Sequence, residues 1–251
     1  MRRTFLCLIA SIIMYGLYVY TLPAADEGIA AQAAAEPRVS VQIALPSVRL
    51  YAVALGFYES ETQARPFAAL YAGRGAAGCI VETDEGWALL GAGYSSDGDA
   101  GSVCAQLRSE EGIDARVMLF SADEVRVSMT ATQSQASAVQ SALEFISSLP
   151  DELSALSQQI DRGDCDAATA RALLAMRCTE ARGVLDGLSL ALGDTADIFC
   201  RMIESLMEDT CAQLGEMCAD GGPTGLALSS LMKQCALETR LGLINMMKSL
   251  Q

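Results

Sequence analysis

The feature that most constrains this chain is an internal echo. YAVALGFYESETQA at positions 51–64 returns as WALLGAGYSSDGDA at 87–100, an offset of 36 residues. At that offset Tyr51 meets Trp87, Val53 meets Leu89, Tyr58 meets Tyr94, Ala64 meets Ala100 and Ala68 meets Cys104. Self-similarity restricts architecture before any motif does, and two copies are too few for a solenoid. Two identical supersecondary units joined head to tail are expected instead.

Each copy changes its period midway. YAVALGFY is a short apolar run with aromatic ends, the pattern of a strand. Ala64, Phe67, Ala68 and Tyr71 then recur at three and four residues, which predicts a helix with one buried stripe. Ser60 or Glu59 can start that helix and Gly73 can end it. Pro66 is tolerated best in a first turn, so a start near Gln63 is expected. AAGCIVE supplies a second strand and DEG a tight turn. In the second copy Trp87 to Tyr94 is a strand, and Ser96 or Asp97 caps a helix with Ala100, Val103, Cys104 and Leu107 as its stripe. DARVMLF at 114–120 closes the unit. The order is βαββαβ, the split ferredoxin-like arrangement, with two helices on one face of an antiparallel sheet. RVSVQIAL at 38–45 and EVRVSMTA at 124–131 also alternate, and either extend this sheet as edge strands or pair with each other.

Strand side chains alternate between faces. Tyr51, Val53 and Leu55, the larger set, are assigned to the helices, which leaves Ala52 and Ala54 on an open face. On the second-copy strand Trp87, Leu89 and Gly91 oppose Ala88 and Leu90, and Trp87 either caps the core or lies at the sheet edge. The open face so built is small and apolar, suited to a flat sugar ring or to another protein.

The repeated strand-and-helix pattern resembles the SPOR (sporulation-related repeat) domain over residues 48–120. Tyr51, Val53, Gly56, Tyr58 and Ala64 match the first family motif, Trp87, Leu89, Tyr94 and Ala100 the second, and Gly112 precedes the final strand. The resemblance implies a small βαββαβ domain, commonly carried outside the membrane on a single-pass anchor, that binds septal peptidoglycan glycan strands lacking stem peptides. It therefore implies a role in cell division or sporulation. Three family polar positions are apolar here, at Ala54, Phe57 and Ala88. The candidate glycan or partner face is Ala52, Ala54, Phe57, Trp87, Ala88 and Leu90. The alternatives are a degenerate module of the same fold that binds another envelope protein, and a peptidoglycan hydrolase or amidase regulator.

The leader fits that layout. Arg2 and Arg3 precede an uncharged run from Phe5 to Leu22. Eighteen helical residues reach roughly 27 Å, close to the hydrocarbon thickness of a bilayer. The expectation is a cytoplasmic tip at 1–4, a transmembrane anchor at 5–22, a linker at 23–37, the SPOR-like domain at 38–132 and a helical domain at 133–251. The rest of the chain would then lie outside the cell membrane. Signal cleavage near Ala25, giving a secreted protein, is the alternative.

Charge and composition exclude much else. Acidic residues outnumber basic ones 31 to 17, for a net charge of −14, which disfavours nucleic acid. There is no histidine, so the Ser-His-Asp triad and histidine metal sites are absent. Glu82, Asp84 and Glu85 cluster at the hairpin between the copies, where water gives them neither raised pKa values nor a walled cleft. No catalytic residue and no cofactor are expected. The nine cysteines contain no CxxC. Those outside the leader form either helix-to-helix disulfides or apolar core positions.

After Thr132 the period is helical. Val139, Leu143 and Ile146 form one stripe, and Pro150 is expected to break that helix. Cys165, Ala168, Ala172, Ala175 and Thr179 mark the next, with Leu188 and Leu192 continuing it. Asp194 or Thr195 is expected to open a third, with Phe199, Ile203, Leu206, Cys211, Leu214 and Cys218. Leu228, Leu231, Cys235 and Leu241 mark the last. Four or five such helices read as a bundle, serving as spacer, docking unit or dimerisation surface.

Overall fold

The computed structural model describes residues 36–193, 197–219, 222–223 and 225–251. The leader and most of the linker lie outside this set. The described chain from Arg38 onward forms one compact unit.

Among the described residues six strands and six α-helices follow one another: β1 Val39–Leu45, β2 Val48–Tyr58, α1 Glu61–Ala72, β3 Cys79–Thr83, β4 Gly86–Tyr94, α2 Asp97–Gln106, β5 Arg116–Ala122, β6 Val125–Ala131, α3 Gln133–Arg162, α4 Ala167–Leu192, α5 Ile198–Cys218 and α6 Leu226–Ser249. A wider-pitched turn, Leu107–Glu111, prolongs α2. The four-stranded sheet has the order β3-β4-β2-β5, antiparallel throughout. This is the strand order of the split βαββαβ unit that the repeat predicts.

Local chemistry explains the helix starts. Ser60 Oγ accepts from the Gln63 N–H and Ser96 Oγ from the Asp99 N–H, both at 3.3 Å. These equivalent caps lie 36 positions apart, so the repeat is expressed down to its capping serines. Pro66 falls in the second turn of α1, which begins at Glu61 rather than near Gln63. Gly86 closes the β3–β4 hairpin at φ 113°, and a Cβ there would stand 2.6 Å from the Tyr58 carbonyl oxygen. Only glycine satisfies both conditions. Glu82, Asp84 and Glu85 are exposed at that hairpin.

β1 and β6 pair with each other, outside the four-stranded sheet. Their register continues that of β2 and β5: Val39 faces Ala131 and Val48 faces Ala122, so both pairs sum to 170 (39 + 131 and 48 + 122). One long two-stranded ribbon thus runs through the sheet and out beyond it. Its inner face, with Val41, Ile43, Val127 and Met129, joins the core shared with the helices.

The sheet is covered on both faces, and this corrects the expected architecture. On one side Val53 and Leu55 pack with Ala100 and Cys104, and with half-buried Tyr51 and Tyr71, under α1 and α2. On the other, Ala52, Ala54, Ala88 and Leu90 belong to the same core as Ile146, Leu153, Ile203 and Leu237 of the helical half. The open-faced βαββαβ domain followed by a separate bundle is replaced by a sheet between two helical layers. The preceding transmembrane helix was placed on 5–22, outside the described residues. Among the described residues no helix is long and apolar enough to cross a membrane.

The helical half differs from the sequence reading in further ways. α3 runs from Gln133 to Arg162 straight through Pro150. The apolar stripe holds it together: Val139, Leu143, Ile146, Leu149, Pro150 and Leu153 are all buried on the same continuous side. Six buried apolar groups outweigh the roughly 3 kcal/mol of an interior proline. On α4 the small residues Ala168, Ala172, Ala175 and Thr179 face solvent, while Ala170, Leu174, Cys178 and Ala181 are buried. Alanine carries too little area to decide a face, and Leu174 decides it. α5 is capped by Asp197, which accepts from the Cys200 N–H, whereas Asp194 and Thr195 lie outside the described residues. Its Phe199, Ile203 and Leu214 are buried as expected. All eight cysteines of the described residues are free thiols.

Candidate functional site

The residues assigned to a ligand face are brought together, but under a helix. Ala52, Ala54, Ala88 and Leu90 have no exposed surface. As an open platform this set is therefore overturned, because α6 and its neighbours occupy the face that the alanines leave. The assignment of faces itself holds: Val53 and Leu55 lie on one side, Ala52 and Ala54 on the other.

Two irregularities alter the alternation downstream. Val53 faces Ala92 and Ala54 faces Leu90, which leaves Gly91 without an opposite residue; Gly56 then faces Leu89, which leaves Leu55 without one. An extra residue of this kind shifts everything beyond it to the other face. Phe57 consequently joins the side of Ala52 and Ala54, at the half-buried margin of that core. The Arg116 guanidinium carbon stands 5.5 Å from the centre of its ring. Trp87, opposite Tyr58 in the ladder, is half-buried.

Why the bundle docks so closely is legible in side-chain size. A Cβ on Gly93 would lie 2.7 Å from Leu50 Cδ1 and 2.8 Å from Leu237 Cδ2. Small residues on β2 and β4 let α6 lie against the sheet. Polar contacts then fix its position. Ser230 Oγ donates to the Ala76 carbonyl (2.6 Å), and Lys233 Nζ donates to the Gly75 carbonyl (2.6 Å). Lys233 also pairs with Asp161 Oδ2 at 2.6 Å, while Asp161 Oδ1 accepts from Ser229 Oγ at 2.6 Å. α1–β3 loop, α3 and α6 are thereby tied at one corner.

Docking also creates a cleft that neither half has alone. It encloses about 280 Å³ and takes Arg49, Leu50, Gly93, Tyr94 and Asp99 from the sheet half. From the helical half it takes Asp151, Ser154, Gln158, Leu237 and Arg240. Its size falls just below the range of about 300–1,000 Å³ usual for ligand pockets. Arg240 is largely buried and pairs with Asp151 at 2.6 Å. Burial pushes the Tyr94 phenol up, and Asp161, Cys104 and Asp99 add to that, so it remains a hydrogen-bond donor at neutral pH. Arg49 and Arg240 carry no signal in the sequence pattern, because they are 191 positions apart (240 − 49). Among the described residues no group of His, Cys, Asp or Glu gathers into a metal site.

Comparison with known proteins returns nothing: no family model, no curated protein and no solved structure matches the chain.

Proposed function

We propose that this chain is a non-catalytic interaction protein of the cell envelope, in which a SPOR-like sheet serves as a scaffold for the chain's own helices rather than as a glycan platform. One observation carries this reading: Ala52, Ala54, Ala88 and Leu90, the positions a glycan would touch, are filled by the helical half. A sugar ring would have to displace α6, breaking the Ser230 and Lys233 contacts and exposing a continuous apolar core. The basic, uncharged-run leader supports an address at the envelope.

The surface offered to a partner is then helical. A groove of about 470 Å³ between α3 and α4 is lined by Leu149, Leu153, Leu156, Leu173 and Met176, with Glu152, Arg177 and Glu180 on its rim. Leu173 and Met176 are 45% and 69% exposed. An amphipathic helix of a second protein fits such a groove.

The test is co-sedimentation of the full chain with purified cell walls, before and after amidase treatment. No enrichment on the treated walls is the expected result, together with a cross-link from a photoreactive residue at position 176 to one envelope protein, abolished by Leu173→Glu. Enrichment on amidase-treated walls would overturn the reading and restore glycan binding.

A further inference from the structure

The cleft between sheet and bundle has a charge pattern that selects its occupant. Its lining holds two guanidinium groups, Arg49 and Arg240, and two carboxylates, Asp99 and Asp151. Arg240 and Asp151 neutralise each other at 2.6 Å. That leaves Arg49 and Asp99, one charge of each sign, whose side chains have no hydrogen-bond or ion-pair partner among the described residues. Tyr94 and Ser95 line the same cleft. Its apolar lining comes from Leu50, Pro150, Ala155, Ala236 and Leu237.

A simple anion meets one free guanidinium but also one free carboxylate, inside a chain of net charge −14. A simple cation meets the reverse. A molecule carrying both charges satisfies both groups at once. The volume, about nine times the liquid share of a water molecule, suits a molecule of amino-acid size. We propose that the cleft binds a free α-amino acid. Arg49 takes its carboxylate, the planar fork matching two oxygens. Asp99 takes its ammonium. Tyr94 donates a further hydrogen bond from the cleft wall. The inference is independent of the α3–α4 groove, and of whether the chain meets glycan.

Isothermal titration of the full chain with L-leucine, N-acetyl-L-leucine and L-leucinamide tests it. L-Leucine is expected to bind, and each blocked derivative to bind at least about tenfold more weakly, because each loses one charge-assisted contact. Arg49→Gln and Asp99→Asn are both exposed changes, and each should weaken L-leucine by at least about tenfold while leaving the circular dichroism spectrum intact. Saturable binding that either blocked derivative matches would overturn the proposal. So would the lack of saturable heat with L-leucine, L-valine and L-alanine through millimolar concentrations.

Discussion

Gly93 of β4 lies directly beneath Leu237 of α6: a methyl group added to the glycine would stand 2.8 Å from Leu237 Cδ2. Leu50 Cδ1 would be closer still, at 2.7 Å. Both obstacles are the free ends of leucines, which can turn aside at some cost.

Gly93→Ala is therefore expected to destabilise the protein by about 1–3 kcal/mol, the range for an overpacked core. Gly183, in the exposed interior of α4, has nothing within 4 Å of a Cβ. Gly183→Ala should stabilise by about 0.5–1 kcal/mol through backbone entropy and helix propensity. Urea unfolding of the two variants checks both signs, and equal shifts would show that α6 does not press on β4.

Ala52→Glu separates a covered face from an open one. Ala52 has no exposed surface and faces Met118 across the ladder. A carboxylate buried there without a partner should cost about 3–5 kcal/mol. On an open sheet face the same change would stay within about 0.5 kcal/mol. Thermal or urea denaturation gives the answer directly.

The corner tie should be measurable as a coupling. Lys233 and Asp161 have side-chain exposures of 17% and 30%, and each makes a second hydrogen bond. A double-mutant cycle with Lys233→Met and Asp161→Asn is expected to give a coupling above about 1 kcal/mol, larger than an exposed pair supplies. A coupling indistinguishable from zero would remove this contact from the account of docking.

Alkali should unfold the protein through its buried thiols. Burial, reinforced by the Glu238 carboxylate, pushes Cys79 up to about 12. Burial likewise pushes Cys235 up to about 12, with Glu238 adding and the Thr239 hydrogen bond opposing. An unfolded thiol ionises near pH 8.5. The folded state therefore holds protons that the unfolded state releases, and the stability of both sites is full below about pH 8.5 and lost as pH rises toward 12. Urea midpoints measured from pH 7 to 11 should fall steadily above 8.5. Cys235→Ala should fall less steeply over the same range.

Much of the sheet half was legible because its signals are local. Capping serines, alternation within β2 and the glycine at the β3–β4 hairpin all act within a few residues. What lay beyond reach was the occupant of the second face. Ala52, Ala54 and Ala88 read alike whether they meet water, sugar or a helix, since a methyl group commits to none of them. The one-residue irregularities at Leu55 and Gly91, which move Phe57 across the sheet, also leave no mark in a periodic pattern. A usable clue sat in α6. Its buried residues include Leu228, Met232, Cys235, Leu237, Leu241, Leu243 and Met247, which spread around most of the helix rather than along one stripe. A helix with so broad an apolar surface needs neighbours on more than one side, and the sheet supplies one of them. The cleft between Arg49 and Arg240 was unreadable for the complementary reason: its two cations come from halves joined only by docking.

The placement of α6 sets the order in which the molecule can be completed. A ribosome delivers β5 by Ala122 and reaches Leu237 only 115 residues later (237 − 122). At about 5–20 residues per second that interval lasts roughly 6–23 s. Throughout it the finished ladder carries a bare apolar surface of Ala52, Ala54, Ala88 and Leu90, so the nascent chain is most vulnerable to sticking and to chaperone capture after its sheet has formed, not before.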